Sequence, residues 1–342
     1  MNRWASEQLG KLNTVQMRKV ANGKLFRWGL GLITLAVIAW LLARELDWQA
    51  VQQALASANY RWVLVAVLAI VGTFFSRAWR WQALLYRSTA RLRPVMTALL
   101  VGQAANLVVP MQGGHVVRAM WIGPERDTRP SEALGSIAIE KVWDLLALVV
   151  CGLLLLAWGP QTPWFQQSTW GTAFVFVLGV AVLWAGLHWQ ATLFAWLRKL
   201  LNWLPDAWVA ALVPRLQGIA QGLEAIRQPK SSARALLWTV ATWGLGMAAN
   251  WAVMVAFGIH SIGAAIFLQA ALMLGGAAVP TPGRLGVFEG VCVVALGLFG
   301  VSSDRALAVG LVLHLVVMGP PLIAAGLLIL WSRLQRGELE SE

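Results

Sequence analysis

Charge is what this chain has least of. Only 12% of its 342 residues are Asp, Glu, Lys or Arg, about half the share of an ordinary soluble domain. With 58% hydrophobic residues beside it, that scarcity excludes a soluble globular protein. Cysteine is also rare: Cys151 and Cys292 both lie in apolar runs, which reads as packed reduced thiols rather than a disulfide framework. No His/Cys ligand spacing occurs, so no metal is expected. A phosphate-binding G-x-x-x-x-G-K-Ser/Thr loop is missing, which excludes an ATP-driven pump formed by this chain alone. So is a nucleophile elbow. No enzyme chemistry and no cofactor are expected. The first apolar run is too long for a leader core and has no small-residue cleavage site, so no cleavable signal is expected.

The net charge of +12 comes without a nucleic-acid recognition motif, and no nucleic-acid partner is expected. Basic residues instead mark cytoplasmic loops and touch anionic lipid. Long apolar runs are plentiful. Leu25–Ala43, Trp62–Ser76, Ala133–Trp158, Thr172–Trp189, Ala235–Phe257 and Leu307–Trp331 reach or approach the length needed to cross a hydrocarbon core. Many of the 21 tryptophans fall near the ends of these runs, as Trp40, Trp48, Trp62, Trp158 and Trp189 do, which is the pattern of interfacial aromatic belts.

Two further runs, Pro94–Val109 and Ile262–Val279, stop at the same short device. The first break reads Val109-Pro110-Met111-Gln112-Gly113-Gly114 and leads to Arg118. The second reads Val279-Pro280-Thr281-Pro282-Gly283-Arg284-Leu285-Gly286 and leads to Glu289. They lie about 170 residues apart. Broken helices at bilayer depth are tolerated where the freed backbone is packed in protein or lines a cavity. A pair of breaks at matching positions of two halves marks a substrate path.

Loop charge orients the chain. Arg3, Lys11, Arg18, Lys19, Lys24 and Arg27 place the N-terminus in the cytoplasm. The loop 44–61 is balanced and suits the outside. The loop 77–93 is basic and lies inside, 159–171 carries no charge and lies outside, and 190–234 is basic and lies inside. This map holds only if 94–124 enters from the cytoplasm, turns at its break and returns. By the same logic 262–300 enters and returns on the outer side, and Arg333 and Arg336 end in the cytoplasm. The expected fold is an all-α polytopic membrane protein with about six full spans and two re-entrant helical hairpins in an inverted repeat. Residues 1–24 form a basic N-terminal segment and 25–332 a single membrane domain, with halves 25–189 and 235–332 joined by an interfacial amphipathic linker 190–234. Residues 333–342 form a cytoplasmic tail.

Ionisable groups inside spans face a polar cavity or one another. Glu140 and Asp144, four apart, share a helix face, and Lys141 can pair with Asp144. Arg118, on the returning arm of the first hairpin, is the expected partner of Glu140 and Asp144. The same pairing would also serve simply to lock hairpin to helix. The second half offers Arg284 after the break, where it could meet a phosphate, Glu289 on the returning arm as Arg118 is in the first, and His314 in the last span, either a packed hydrogen bonder or a functional group; with Arg118, Glu140, Lys141 and Asp144 these are the candidate headgroup-binding residues. Arg77 and Arg80 end the second span and read as snorkelling orientation anchors. His115 stands beside the first break without an assigned role.

Three segments together resemble a known family: Pro110–Arg118, Ser131 through Glu140-Lys141-Val142-Trp143-Asp144, and Pro280 through Glu289. The chain resembles the membrane region of lysylphosphatidylglycerol synthases, which also occurs alone in flippase-like integral membrane proteins, over roughly residues 25–331. The resemblance implies a lipid-handling protein of a prokaryotic inner membrane that moves a lipid with a polar, phosphate-bearing headgroup, either a phospholipid or a polyprenyl phosphate. His115 stands where the family commonly has an acidic residue, Lys141 and His314 where it has arginine, and Arg284 where a second glycine is frequent. No stretch of the sequence reads as the soluble aminoacyl-transfer domain of the synthases, so synthesis of lysyl lipid is not expected. The expectations for function are therefore a lipid translocator, a non-transporting accessory subunit of an envelope-lipid enzyme, or a carrier of a small soluble anion.

Overall fold

The computed structural model describes residues 47–85, 91–108, 113–122, 129–158, 224–278 and 282–339, with scattered positions between 171 and 222. Nine α-helices and no strands occur among them. They are α1 (Trp48–Ser57), α2 (Tyr60–Leu84), α3 (Leu92–Val108), α4 (Gly114–Ile122), α5 (Pro130–Trp158), α6 (Pro229–Ala256), α7 (Ile262–Ala278), α8 (Val287–Gly297) and α9 (Ser303–Leu339). The expected spans Leu25–Ala43 and Thr172–Trp189, the breaks at Pro110 and Pro280, and most of the linker lie outside the described residues.

Tyr60–Leu84, Pro229–Ala256 and Ser303–Leu327 are each long and apolar enough to cross a membrane. The 29-residue α5 is longer than each of these three spans and carries Glu140, Lys141 and Asp144 within its body. The elements of the two breaks are shorter. α3 and α7 have 17 residues each, α4 has nine and α8 eleven. At 1.5 Å per residue α4 rises only about 14 Å, half the hydrocarbon thickness.

Two positions depart from the sequence pattern. The second apolar run of the sequence ends at Ser76, where charge begins, yet α2 continues through Arg77 and Arg80 to Leu84 because its second half packs against α6 rather than facing water. The loop 44–61 contains a helix of its own. Asp47 caps α1 by accepting from the N–H groups of Gln49 and Ala50, satisfying two donors of the first turn. Its own N–H donates to Asp304 Oδ1 at 2.9 Å, tying α1 to the start of α9.

α2 and α6 form the central pair and run antiparallel. Trp62 meets Trp251 edge-on at 5.5 Å, Ser76 Oγ lies 2.8 Å from Thr242 Oγ1, and Trp79 stacks on Trp238 at 4.6 Å. Around this pair the packing has a regular form. α3 lies on α4 as α7 lies on α8, α4 on α5 as α8 on α9, α2 on α3 as α6 on α7, and α3 on α9 as α7 on α5. The contacts of α2 with α5 and α9 are likewise matched by those of α6 with α9 and α5. Exchanging α2–α5 for α6–α9 thus leaves the packing of these helices unchanged.

Both short pairs are antiparallel hairpins held by small residues. In the first, Asn106 Oδ1 accepts from the N–H of Gly114 at 2.8 Å, and Gly102 faces Gly114 and the Cβ of Arg118. In the second, Gly275 faces Val291, and Phe267 meets Phe299 at 5.7 Å. A Cβ on Gly114 would sit 1.9 Å from the Gly102 carbonyl oxygen, a backbone atom that cannot swing aside. Gly114→Ala is therefore expected to destabilise the first hairpin by about 1–3 kcal/mol of overpacking. Thermal unfolding in detergent would measure this, with Gly171→Ala, whose added methyl meets nothing within 4 Å, as the silent control.

Candidate functional site

The first site forms where α2, α4, α5 and α6 converge. Arg80 is its centre. Its Nη2 donates to Glu140 Oε1 at 2.9 Å, and its Nη1 donates to Asp144 Oδ1 at 2.7 Å and to Thr239 Oγ1 at 3.3 Å. The spacing of Glu140 and Asp144, one helical turn apart on α5, is what lets one planar guanidinium reach both. Glu140 turns its other oxygen to Arg118 Nη2, so this one carboxylate joins α2 to the first hairpin through α5. Arg118 Cζ also lies over the Trp81 ring, 4.0 Å from its centroid, a cation–π contact that favours a desolvated guanidinium. Trp81 Nε1 in turn donates to Ser136 Oγ on α5 at 2.9 Å.

Arg80, Arg118 and Glu140 are 1%, 2% and 0% exposed, so no solvent screens them. Asp144 is buried too and takes a second cation, Lys141 Nζ at 3.3 Å, whose side chain is 43% exposed. Trp243 Nε1 reaches Asp144 Oδ1 at 3.5 Å. Arg77, half-buried one turn back on α2, is within electrostatic reach of the same group, as is His115 on α4. Among the described residues the fully buried charges balance, Arg80 and Arg118 against Glu140 and Asp144, and the half-buried Arg77 and the partly exposed Lys141 add positive charge at the margin.

Sequence patterning pairs Arg118 with both acids; the structure gives it Glu140 and gives Asp144 to Arg80. Reading Arg80 as a snorkelling anchor is wrong. A signal for it was present: Thr73, Ser76 and Arg80 repeat at helical spacing, a polar stripe in an otherwise apolar helix, and all three are buried.

The second site holds the second break. Pro282–Arg284 form one turn of 3-10 helix, and Gly283, Arg284 and Gly286 all have left-handed φ, of 60°, 59° and 75°. Glycine enters that region freely and arginine does not. Glu289 Oε2 accepts from the Gly286 N–H at 2.8 Å, satisfying a donor at the start of α8. Its Oε1 lies 2.6 Å from His314 Nδ1 on α9, and His314 Nε2 lies 3.0 Å from the Gly283 carbonyl oxygen. Phe288 stacks on the imidazole at 4.6 Å. The structure therefore joins Glu289 and His314 and leaves Arg284 apart from them, half-buried and with no ion pair among the described residues.

α3 lies between the two sites. Its Gly102 backs onto Arg118, and the 3-10 turn of the second break packs against it. On its far side α3 forms a cleft of about 670 Å³ with α2 and α9, lined by Phe75, Met96, Leu100 and Leu327 with Arg93 and Thr97 as its polar members. Among the described residues no cluster of His, Cys, Asp and Glu could hold a metal.

Breaking one partner of such a buried network leaves a charge unpaired. Glu140→Ala strands the Arg118 guanidinium, leaves Arg80 with Asp144 alone, and is expected to cost about 3–5 kcal/mol. Arg80→Lys should fail as well, because one ammonium cannot span both carboxylates. The double variant Arg118→Met/Glu140→Met should lose less than the two single variants added together. Thermal melts of the purified proteins would rank them.

A comparison with curated proteins yields no match. The family model for the lysylphosphatidylglycerol synthase TM region matches residues 28–325, nearly the whole chain, and the chain belongs to that family of membrane proteins.

Proposed function

We propose that this chain is a translocator for a lipid with a phosphate-bearing headgroup, and that it performs no covalent chemistry. The observation that carries this reading is the buried ion-paired cluster of Arg80, Arg118, Glu140 and Asp144, with the half-buried Arg77 and the partly exposed Lys141 at its margin, set among helices of a membrane protein. Charges in that setting cost several kcal/mol each unless they serve one another or a ligand. The headgroup phosphate takes the place of Glu140 at Arg118, which sits on the movable short arm, and Arg284 meets it from the second break. The acyl chains remain in apolar surroundings such as the cleft between α2, α3 and α9. A phospholipid and a polyprenyl phosphate offer the same chemistry to these residues.

The short arms support reading each hairpin as re-entrant, since none of them matches the length of α2, α6 or α9. The matched packing of α2–α5 and α6–α9, together with the antiparallel course of α2 and α6, supports an inverted repeat. Transporters of that construction place their site where the broken segments approach each other and move one repeat against the other. Loop charge supports placing both termini in the cytoplasm.

A second reading has an observation of its own. Arg80 and Arg118 are both internally paired, which also suits a static lipid-binding subunit of an envelope-lipid enzyme. Reconstitution separates the two. In vesicles of phosphatidylglycerol and phosphatidylethanolamine the translocator moves labelled phospholipid, or added polyprenyl phosphate, faster than empty vesicles do. The static subunit only co-purifies with lipid. Arg284→Gly gives the sharper result. It relieves a left-handed arginine and should stabilise the fold by about 1 kcal/mol, yet it should slow lipid movement. A faster or unchanged rate would remove Arg284 from the headgroup path.

A further inference from the structure

His314 stands between two acceptors. Nδ1 faces Glu289 Oε1 at 2.6 Å, and Nε2 faces the carbonyl oxygen of Gly283 at 3.0 Å. A carbonyl oxygen only accepts, so Nε2 must carry a proton. The contact at Nδ1 then needs a second proton, on the ring or on the carboxyl. A neutral imidazole beside an ionised carboxylate has one proton for two bonds and leaves a lone pair aimed at a lone pair. This geometry is complete only when the His314–Glu289 pair holds both protons and is neutral as a whole. Glu289 uses its remaining oxygen on the Gly286 N–H at 2.8 Å, so both glycines that frame the second break are tied to this one pair.

We infer that Glu289 and His314 form a proton-binding site that closes the second break, and that release of one proton to water opens it. Loss of that proton leaves Nδ1–H bonded to Glu289 and sets the bare Nε2 against the Gly283 oxygen, which breaks the link between α9 and the 3-10 turn. Gly283 and Gly286 already have left-handed φ, so the turn can move without steric penalty. The site is 7% exposed at both Glu289 and His314, and both side chains are otherwise enclosed by α7, α8 and α9 and by the turn.

The surrounding charges are few. α7 and α1 contain no titratable residue, and α8 adds only Cys292, buried against Gly310, which also touches Glu289. The turn contributes Arg284. On α9, Asp304 and Arg305 are engaged with the Asp47 N–H and the Phe257 carbonyl, and Arg333, Arg336 and Glu338 fall in its last turns. α3 carries Arg93. α2 carries Tyr60 and Arg61 at its start and Arg77 and Arg80 at the first site, and α6 carries Lys230 and Arg234. Combined with the proposed translocator, on which this step of the inference rests, the site makes the proton the coupling ion, since the break it closes lies against α3 and the headgroup path.

Glu289→Gln separates charge from structure. A glutamine amide donates to Nδ1, its oxygen accepts from Gly286, and a neutral imidazole keeps Nε2–H on Gly283. The network is then complete without a titratable proton. The test uses the full chain in vesicles of phosphatidylglycerol and phosphatidylethanolamine, with 15N-labelled histidine and a nitroxide attached at Leu285→Cys, an exposed position in the turn, with Cys151 and Cys292 replaced by serine and alanine. In the wild-type sequence Nε2 is protonated at neutral pH. Nitroxide mobility rises through a single step as pH increases, the open-to-closed ratio changing by about tenfold per pH unit within it. Glu289→Gln and His314→Gln abolish the step, and either variant suffices if the other does not fold. A bare Nε2 at neutral pH, or an unchanged step in either variant, overturns the proton site. A proton site that behaves as described in vesicles that move no lipid, with or without a pH gradient, would instead overturn the translocator and leave the site standing.

Discussion

The guanidinium of Arg80 between Glu140 and Asp144 is the contact on which the first half is assembled. Three long helices, α2, α5 and α6, meet at that one side chain. Apolar packing between helices gives little direction in lipid, because the tails are as apolar as leucine. A buried charge network does give direction, since a helix turned by one residue would leave a charge stranded at a cost of several kcal/mol. The planar fork of arginine makes this stricter, because both nitrogens must find their acids in one plane. The rotation and depth of α2, α5 and α6 are therefore set by three side chains, and the tryptophans stacked between α2 and α6 fill the remaining seam.

The two halves solve the same attachment problem with opposite signs. In each, the second arm of a hairpin is fastened to the helix that follows it. The first half places a base on the arm and an acid on the helix, Arg118 to Glu140; the second places the acid on the arm and the base on the helix, Glu289 to His314. Arginine keeps its charge at any ordinary pH, whereas histidine changes within the physiological range. The first fastening can therefore be undone only by a competing anion, and the second by removal of a proton. Matched packing with unmatched chemistry gives the halves different triggers.

Much of this was legible from sequence, and the losses have physical causes. Proline and glycine mark where a helix stops whatever surrounds it, so both breaks stood out, and the carboxylates of α5 were visible because charge is so rare here. Arg80 was misread because local charge density alone does not say whether a helix end faces headgroups or another helix. The partner stripe on α6, Thr239 and Trp243, lies about 160 residues away in the chain and has no local signature. The small helix α1 was missed because it buries only Val51 and owes its existence to an Asp47 cap and its dock on α9. The Gly283 carbonyl as a partner of His314 had no sequence signal at all, since backbone acceptors are invisible until the turn is folded.

The division of labour between the two arginines bears on how a sealed cluster could serve a moving lipid. Arg80 binds only long helices, and its pairing with Asp144 does not involve the hairpin. Arg118 is the member carried by the short arm, and among the described residues its ion pair is with Glu140. A phosphate that displaces Glu140 from Arg118 leaves that carboxylate still held by Arg80. No charge is then stranded at either end of the exchange, and the frame of α2, α5 and α6 need not unfold for the arm to move. The Trp81 ring under Arg118 keeps a cation–π contact with the guanidinium while its anion changes. The second carboxylate of α5, Asp144, is what makes this exchange affordable: without it Arg80 would depend on Glu140 alone, and the frame and the arm would compete for one acid.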